Sequence, residues 1–412
     1  MKIKRQPKKY TIIIPTRNRE EYLPYAIESV LASDREDIEL IVSNNHSMDD
    51  TAAYLSTLSD TRLKVIMPSK ELPMSSHYEF ALSHASGEWV TILGDDDAAM
   101  PYLFDRLDEL TQKYPDISII SSERAYYFWE GCEDLYGESV VSYWGGGDRR
   151  LRSTKKDLIL ALAGLRSCFD LPQIYTTCIV KTALIDRIKE QSGGRFYYSI
   201  IPDMYSAVAL LLAEKTYLRV EEPLFWTGTS NKSMGRSDRI YKDSEITAPR
   251  FDKDTTNNAL NLHIDVPKKL HILGFGSLYL YEALLQCPLS KGFWKTSRIK
   301  LIVFASILSH AKSAFINKGI NMNQLMSDIK IEINKSNISF LHLKLMEILI
   351  RFFSITGMTF RFPWRLAKKI HHLVHKDVIV STSRKRFSTI LEASKAVEDV
   401  LRMRNPKKNN SH

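Results

Sequence analysis

From residue 10 to about residue 121 short apolar runs alternate with stretches of helical periodicity. The apolar run over 10–15 predicts a buried strand, and "NREEYLPYAIESVLA" predicts a helix with Asn18 at its N-cap and Glu21 at capping-box spacing. A strand over 38–43 follows, then a helix opening in "SMDDTAAYLSTL", where Ser47 and Asp50 repeat that spacing. Strands over 63–67 and 89–93 alternate with helices over 77–86 and 100–113. This alternation predicts an α/β fold with a mainly parallel, doubly wound sheet. Ligands of such sheets sit at the carboxyl ends of the strands. Three polar loops fall there: "PTRNR", "NNHSMDD" and "GDDD".

Further on, the aromatic and glycine-rich stretch 123–152 predicts a mobile loop or hairpin beside a site. A strand is expected over 173–180, a helix over 203–213, and a strand in "YLRVEEPLF" ended by Pro223. After a polar stretch the pattern turns helical almost to the end, so a boundary is placed near residue 255. The expected organisation is a nucleotide-binding domain over 1–255 and a helical, basic region over 256–412.

A length of 412 residues allows a large core, and a formal charge of +9 points to an anionic partner. The N-terminal apolar run stops at Pro15, short of a secretory segment, and no stretch stays apolar for the roughly 18 to 20 residues needed to span a bilayer. Four widely spaced cysteines (Cys132, Cys168, Cys178 and Cys287) form no metal-ligand pattern and are expected as free thiols in the cytoplasm.

The stretch "TILGDDDAAMP" places Asp95, Asp96 and Asp97 at the end of a strand. Adjacent carboxylates repel unless a cation or a set of donors sits among them. A divalent cation, Mn2+ or Mg2+, satisfies that need with carboxylate, water and phosphate oxygens. Simple alternation would put Asp95 and Asp97 on one side.

In order and spacing, "IIIPTRNREEYLPYAIESVLA", "ELIVSNNHSMDDT", "ASGEWVTILGDDDAAMP" and "PDMYSAVALLLA" resemble the inverting family 2 glycosyltransferases of the GT-A fold, over about residues 8 to 235. The resemblance implies a GT-A-like mixed sheet and a nucleotide-sugar donor, a UDP-sugar first. It matches Pro15, Thr16 and Asn18 to the first donor-binding loop, with Arg17 and Arg19 beside it. Asn44, followed by Asn45, stands where the family carries an aspartate for the base; its amide both accepts and donates, which leaves the base open. Asp49 matches the aspartate of that loop, where first-turn stabilisation explains it equally well. Asp95 matches the ribose-contacting carboxylate and Asp96 the metal ligand, with Asp97 a water-bridged ligand beside it. Asp203, at a helix start, matches the general base of a single-displacement transfer. In "TGTSNKSMGRS", Lys232 and Arg236 with Ser230 and Ser233 are read as a flap over the diphosphate.

The helical tail carries two distinctive stretches. Leu341, Leu345, Ile348 and Phe352 share a stripe expected to be buried, with Lys344, Glu347 and Arg351 on another. The stretch "FRFPWRLAKKIHHLVHK" is basic and aromatic with no acidic residue, which suits a helix in an anionic membrane interface. The expected acceptor is a glycan or lipid-linked glycan, at the inner face of the cell membrane. Nucleic acid is not an expected partner, since no nucleic-acid motif accompanies the charge. A donor-binding scaffold and a metal-dependent nucleotidyl or phosphoryl transferase are the alternative readings.

Overall fold

The computed structural model describes residues 8–132, 139–145, 149–233, 275–291, 296–318, 322–355, 378–383 and 387–404, together with His263 and Val266. Arg236, the boundary near residue 255 and the basic stretch 360–376 lie outside the described residues.

Strand β1 (Tyr10–Thr16) is buried along its whole length. Its parallel neighbours are β2 (Ile38–Asn44) on one side and β4 (Trp89–Ile92) on the other, and β3 (Leu63–Ile66) extends the sheet beyond β2. Near-continuous apolar runs are what a strand covered on both faces requires. Alternate residues of β1 serve the two faces. Ile12 and Ile14 pack with Leu23, Ile27 and Val30 of helix α1 (Leu23–Leu31), and with Leu103 and Leu107 further along. Ile13 points the other way, into a core shared with Leu82 and Tyr205.

The remaining elements widen the sheet. Helices α2 (Thr51–Thr57), α3 (Met74–Leu82) and α4 (Leu103–Lys113) alternate with the strands, and β5 (Ala98–Ala99) is a short piece after the aspartates. Strands β6 (Ile119–Phe128) and β7 (Ser139–Gly145) form the expected hairpin. They are followed by β8 (Arg149–Ser153), α5 (Thr154–Leu162), β9 (Cys178–Lys181), α6 (Thr182–Gln191), α7 (Pro202–Ala213) and β10 (Thr216–Thr229). Strand β9 lies antiparallel between β4 and β6, while β10 runs parallel to β6 and antiparallel to β5 and β8. Among the described residues the result is one mixed sheet of 11 strands.

The helical tail packs into this same core. Helix α8 (Gly276–Gln286) brings Leu278, Leu280 and Tyr281 against α5 and α7. Gly276 is needed there, since a Cβ would stand 2.5 Å from Sγ of Cys168. Helices α9 (Thr296–Lys318), α10 (Met322–Lys335) and α11 (residues 340–355) follow. Then comes a departure from the all-helical expectation: the β-branched run "VIVSTS" is strand β11 (Val378–Ser383), antiparallel to β7. Helix α12 (Ile390–Arg404) closes the chain, with Ile390, Ala393 and Val397 against Tyr22 and Trp226. Among the described residues no helix is long and apolar enough to cross a membrane, and all four cysteines are free and buried.

Three local expectations give way to tertiary contacts. Helix α1 starts at Leu23 with Tyr22 at its N-cap, because Asn18 adopts φ 55° and spends its side chain on the neighbouring loop. Strand β10 continues through Pro223, which sits between two register shifts and whose carbonyl accepts from the Tyr102 hydroxyl at 2.7 Å. Helix α11 is turned inside out. Leu341, Leu345, Ile348 and Phe352 face outward, while Leu343, Ile350 and Glu347 face the protein. Glu347 accompanies the apolar residues because Lys344 at 2.8 Å and Arg351 at 2.6 Å neutralise it.

Candidate functional site

The carboxyl ends of β1, β2 and β4 carry the three polar loops, and a lattice of side chain to backbone hydrogen bonds fixes them. Asn18 N donates to Ser47 Oγ at 3.0 Å, and Asn18 Oδ1 accepts from Met48 N at 2.7 Å. Asp49 accepts from Glu20 N at 3.2 Å, and Glu20 returns the bond by accepting from Asp50 N at 2.8 Å. Burial raises the Asp49 carboxyl, but donors from Thr51 and the Glu20 backbone outweigh it and leave the group below the usual range. Asn18 and His46 both take positive φ, at 55° and 54°. Strained backbone of this kind persists only where surrounding contacts hold it.

The two asparagines after β2 are already engaged. Asn44 Oδ1 accepts from Ser47 N at 3.0 Å, an Asx-type turn that shapes the loop. Asn45 pairs by both amide atoms with the backbone of Leu72, at 2.6 and 2.9 Å. Pro15 lies in β1 opposite Ser43. The buried Thr16 hydroxyl lies beside Asp95 and favours its charged form against burial. Arg17 turns outward to Glu71 at 2.5 Å. Arg19 turns inward: its Nε lies 3.7 Å from Asp95, and its other nitrogens donate to Ser230 Oγ at 3.3 Å and to the Lys232 carbonyl.

The consecutive aspartates have three different surroundings. Burial pushes the Asp95 carboxyl up and Asp96 adds to this, while Arg19, which it faces, pulls the other way. Asp96 is 5% exposed, and its Oδ2 accepts from Ser230 Oγ at 2.7 Å and Ser233 Oγ at 2.5 Å. Trp129 Nε1 donates to the Asp96 carbonyl at 2.8 Å. Asp97 braces the loop: Oδ1 accepts from Gly228 N at 2.7 Å, and Oδ2 from Gly94 N at 3.0 Å and from the Thr176 hydroxyl. Both of its oxygens are thereby engaged within the protein. Burial and then Asp96 push the Asp97 carboxyl up, against the pull of those three donors. Gly228 is needed for this closeness, because a Cβ there would lie 1.7 Å from the Asp96 carbonyl oxygen. Thr176, at φ 56°, is a β-branched residue in the left-handed region, held by its bond to Asp97 and by its N–H to the Ile92 carbonyl at 2.7 Å.

The loop after β10 closes over these groups. Lys232 pairs with Glu21 at 3.3 Å, and Tyr22 donates to Asn231 at 3.1 Å. Ser230 and Ser233 complete the clasp on Asp96.

Asp203 approaches from another element, in the first turn of α7. Its Oδ1 accepts from Met204 N at 2.9 Å, and Oδ2 accepts no side-chain hydrogen bond among the described residues. Burial raises its pKa, opposed by the Met204 N–H and by Arg124. Tyr78 of α3 lies near both Asp203 and the aspartate loop. Burial raises its phenol far above the usual range, and Asp203, Asp95, Asp97 and Asp96 all push the same way. Tyr175 stacks near it, with centroids 6.4 Å apart and rings inclined by 19°. Both phenols stay protonated and are available as donors.

The structure therefore gathers Thr16, Arg19, Asn44, Asp95, Asp96 and Lys232 on one rim, with Asp203 on a separate element, the start of α7. Arg17 and Asn45 are directed elsewhere. Sequence reading missed Tyr78, Tyr175, Arg124 and Trp129, which lie in different elements with no motif to mark them. Arg124 donates to Gln173 Oε1 at 3.0 Å, and Gln173 in turn to the Cys168 carbonyl at 3.0 Å, on the Asp203 side.

A divalent cation fits here only in part. Among the described residues no cluster of three or more His, Cys, Asp or Glu is arranged to hold one. Asp96 fits one position of a magnesium-like ion, which commonly uses one or two carboxylates and completes its shell with water and substrate phosphates.

Comparison with known proteins adds an independent line. Residues 11–164 match the sequence profile of Glycosyl transferase family 2. The chain is similar to the GalNAc(5)-diNAcBac-PP-undecaprenol beta-1,3-glucosyltransferase of Campylobacter jejuni, 40% identical over 158 residues that make 37% of this chain and 48% of that protein. It is also similar to the UDP-Glc:alpha-D-GlcNAc-diphosphoundecaprenol beta-1,3-glucosyltransferase WfgD of Escherichia coli, 31% identical over 87 residues, 21% of this chain and 34% of the relative. The matched segments thus span about half or less of these relatives. Among solved structures, S. aureus TarS 1-349 in complex with UDP-GlcNAc aligns with 81% of this chain and 93% of its own, at 13% identity and a TM-score of 0.46.

Proposed function

We propose that this protein, whose residues 11–164 match the Glycosyl transferase family 2 model, is an inverting, metal-dependent glycosyltransferase that moves a sugar from a nucleotide sugar to a lipid-linked glycan. The observation that supports the reading is that Asp203, at the start of α7, and the aspartate turn after β4 both lie close enough to Tyr78 to act on its phenol. The aspartate turn is suited to the donor and Asp203 to an acceptor hydroxyl.

On the donor side, Thr16 and Asn44 border the base and ribose, Asp95 takes the ribose hydroxyls, and Arg19 and Lys232 face the diphosphate. Asp96 would hold the cation, Mn2+ or Mg2+, which when bound neutralises charge building on the departing nucleoside diphosphate. Asp97 braces the loop. On the acceptor side Oδ2 of Asp203 removes the proton of the acceptor hydroxyl. The deprotonated acceptor oxygen forms its bond to the anomeric carbon as the bond from carbon to phosphate oxygen breaks on the opposite face, so the configuration inverts. A carboxylate raised by burial is a better base than an exposed one.

The two bacterial relatives are named for acceptors on undecaprenol diphosphate, which supports a lipid-linked acceptor and a peripheral position on the cytoplasmic face of the membrane. The donor of WfgD is named as UDP-Glc, which supports a UDP-sugar here. The test is a panel of nucleotide sugars measured for binding with and without manganese. Manganese-dependent binding of one donor, and its conversion to the nucleoside diphosphate, is the expected result. Donor binding without turnover would make the chain a scaffold, and release of pyrophosphate would make it a nucleotidyl transferase.

A further inference from the structure

Helix α11 turns an apolar stripe to solvent. Leu341, Leu345, Ile348 and Leu349 follow the i, i+4, i+7, i+8 spacing of one helix face, and each is between 47% and 65% exposed. Ile331 of α10 is half exposed as well. A single surface leucine is ordinary, but a contiguous stripe marks an interaction surface. The packed side of the same helix is occupied by Leu343, Glu347 and Ile350, so the stripe is not a misdirected core face.

Cations edge the stripe. Lys330 and Lys344 stand 5.4 and 5.8 Å from the centroid of Phe340, and Lys335 is 66% exposed although paired with Glu332 at 2.8 Å. The chain then continues through residues 356–376, whose sequence holds five Lys or Arg and no Asp or Glu. An apolar stripe edged by positive charge matches the boundary between headgroups and acyl chains in an anionic bilayer. A second copy of this face is a poorer occupant, since two-fold pairing sets cation against cation.

We propose that this face of α11 docks the protein on an anionic lipid bilayer, with Leu341, Leu345, Ile348 and Leu349 entering the headgroup layer and Lys330 and Lys335 meeting lipid phosphates. The purpose of such docking rests on the lipid-linked acceptor proposed above, but its test involves no sugar. The full chain is sedimented with vesicles of phosphatidylcholine, with or without phosphatidylglycerol. Wild type should partition onto the phosphatidylglycerol vesicles and weaken with salt, and the pair Leu345→Asp and Ile348→Asp should lower that partition at least about tenfold. As a second measurement, a polarity-sensitive dye on Ile348→Cys should shift to the blue on those vesicles and be quenched by spin-labelled lipid. Unchanged partition in the double variant, no dye response, or a wild-type dimer that the double variant converts to monomer would each overturn the proposal. Vesicle binding without sugar transfer leaves docking standing and removes the catalytic reading; transfer without vesicle binding does the reverse.

Discussion

Ser230 Oγ donates to Oδ2 of Asp96 across 2.7 Å, joining residues 134 positions apart. Ser233 adds a second donor to the same oxygen, and Arg19 reaches both Ser230 and Asp95. The loop after β10 and the aspartate turn therefore form one unit, closed over the strand ends where the donor is proposed to lie.

The neighbouring aspartates should separate cleanly by substitution. Asp96→Asn is expected to leave the melting temperature close to wild type and to abolish manganese-dependent donor binding. Asp97→Asn should do the opposite first. It removes one oxygen from a carboxylate that accepts three protein donors and sets an amide against buried N–H groups, at a cost of about 1–3 kcal/mol. Thermal melts and donor titrations of the two variants check this. Equal stability for both would mean that Asp97 does not brace the loop.

Releasing the clasp should weaken donor capture more than chemistry. The double variant Ser230→Ala and Ser233→Ala loses both hydroxyl donors to Asp96, and we expect the donor KM to rise about tenfold, in line with loss of charge-assisted hydrogen bonds, while kcat changes little. Steady-state kinetics with varied donor reads this directly. A fall in kcat at unchanged KM would assign the serines to the transition state instead.

A pH effect is expected from outside the site. Glu282 of α8 is fully buried and accepts from the Ser199 hydroxyl and from Gln286 at 3.2 Å. Burial raises it from 4.5 to about 7, with Ser199 and Gln286 opposing. Because the folded value lies above the unfolded one, the folded chain binds this proton more tightly. Its contribution to stability is present below about pH 4.5 and is lost as the pH climbs through about 7. Glu282→Gln should flatten that part of the decline in melting temperature, seen by comparing melts from about pH 5 to about pH 8. Parallel curves for variant and wild type would show that Glu282 titrates normally. Ser199 also accepts from Ile201 N at 3.3 Å, two residues before Asp203.

The parallel strands were legible because buried runs such as "TIIIP" admit few other structures, and the loops at their ends followed from topology. The capping-box reading of Asn18 failed because the same side chain bonds more productively across to Met48. Helix α11 shows the limit of periodicity, which finds two faces but does not say which is packed. Glu347 could turn inward only because Lys344 and Arg351 came with it. The division of labour among Asp95, Asp96 and Asp97 depends on Gly228, Thr176 and Ser230, far away in sequence, so no local pattern could have assigned it. Tyr78 lies near both parts of the site and bears no motif at all.

Asp203→Asn, assayed for turnover and donor affinity on a single preparation, bears most directly on the proposed transfer. Asparagine keeps the size of the side chain and its bond to Met204 N but has no oxygen able to take a proton. The account predicts that turnover falls by roughly 10²- to 10⁴-fold, the usual loss when a general base is removed, while manganese-dependent donor affinity stays within about twofold of wild type, because Asp203 sits on a different element from the donor loops. A variant that retains near wild-type turnover would contradict it and leave Asp203 as a first-turn residue stabilising α7.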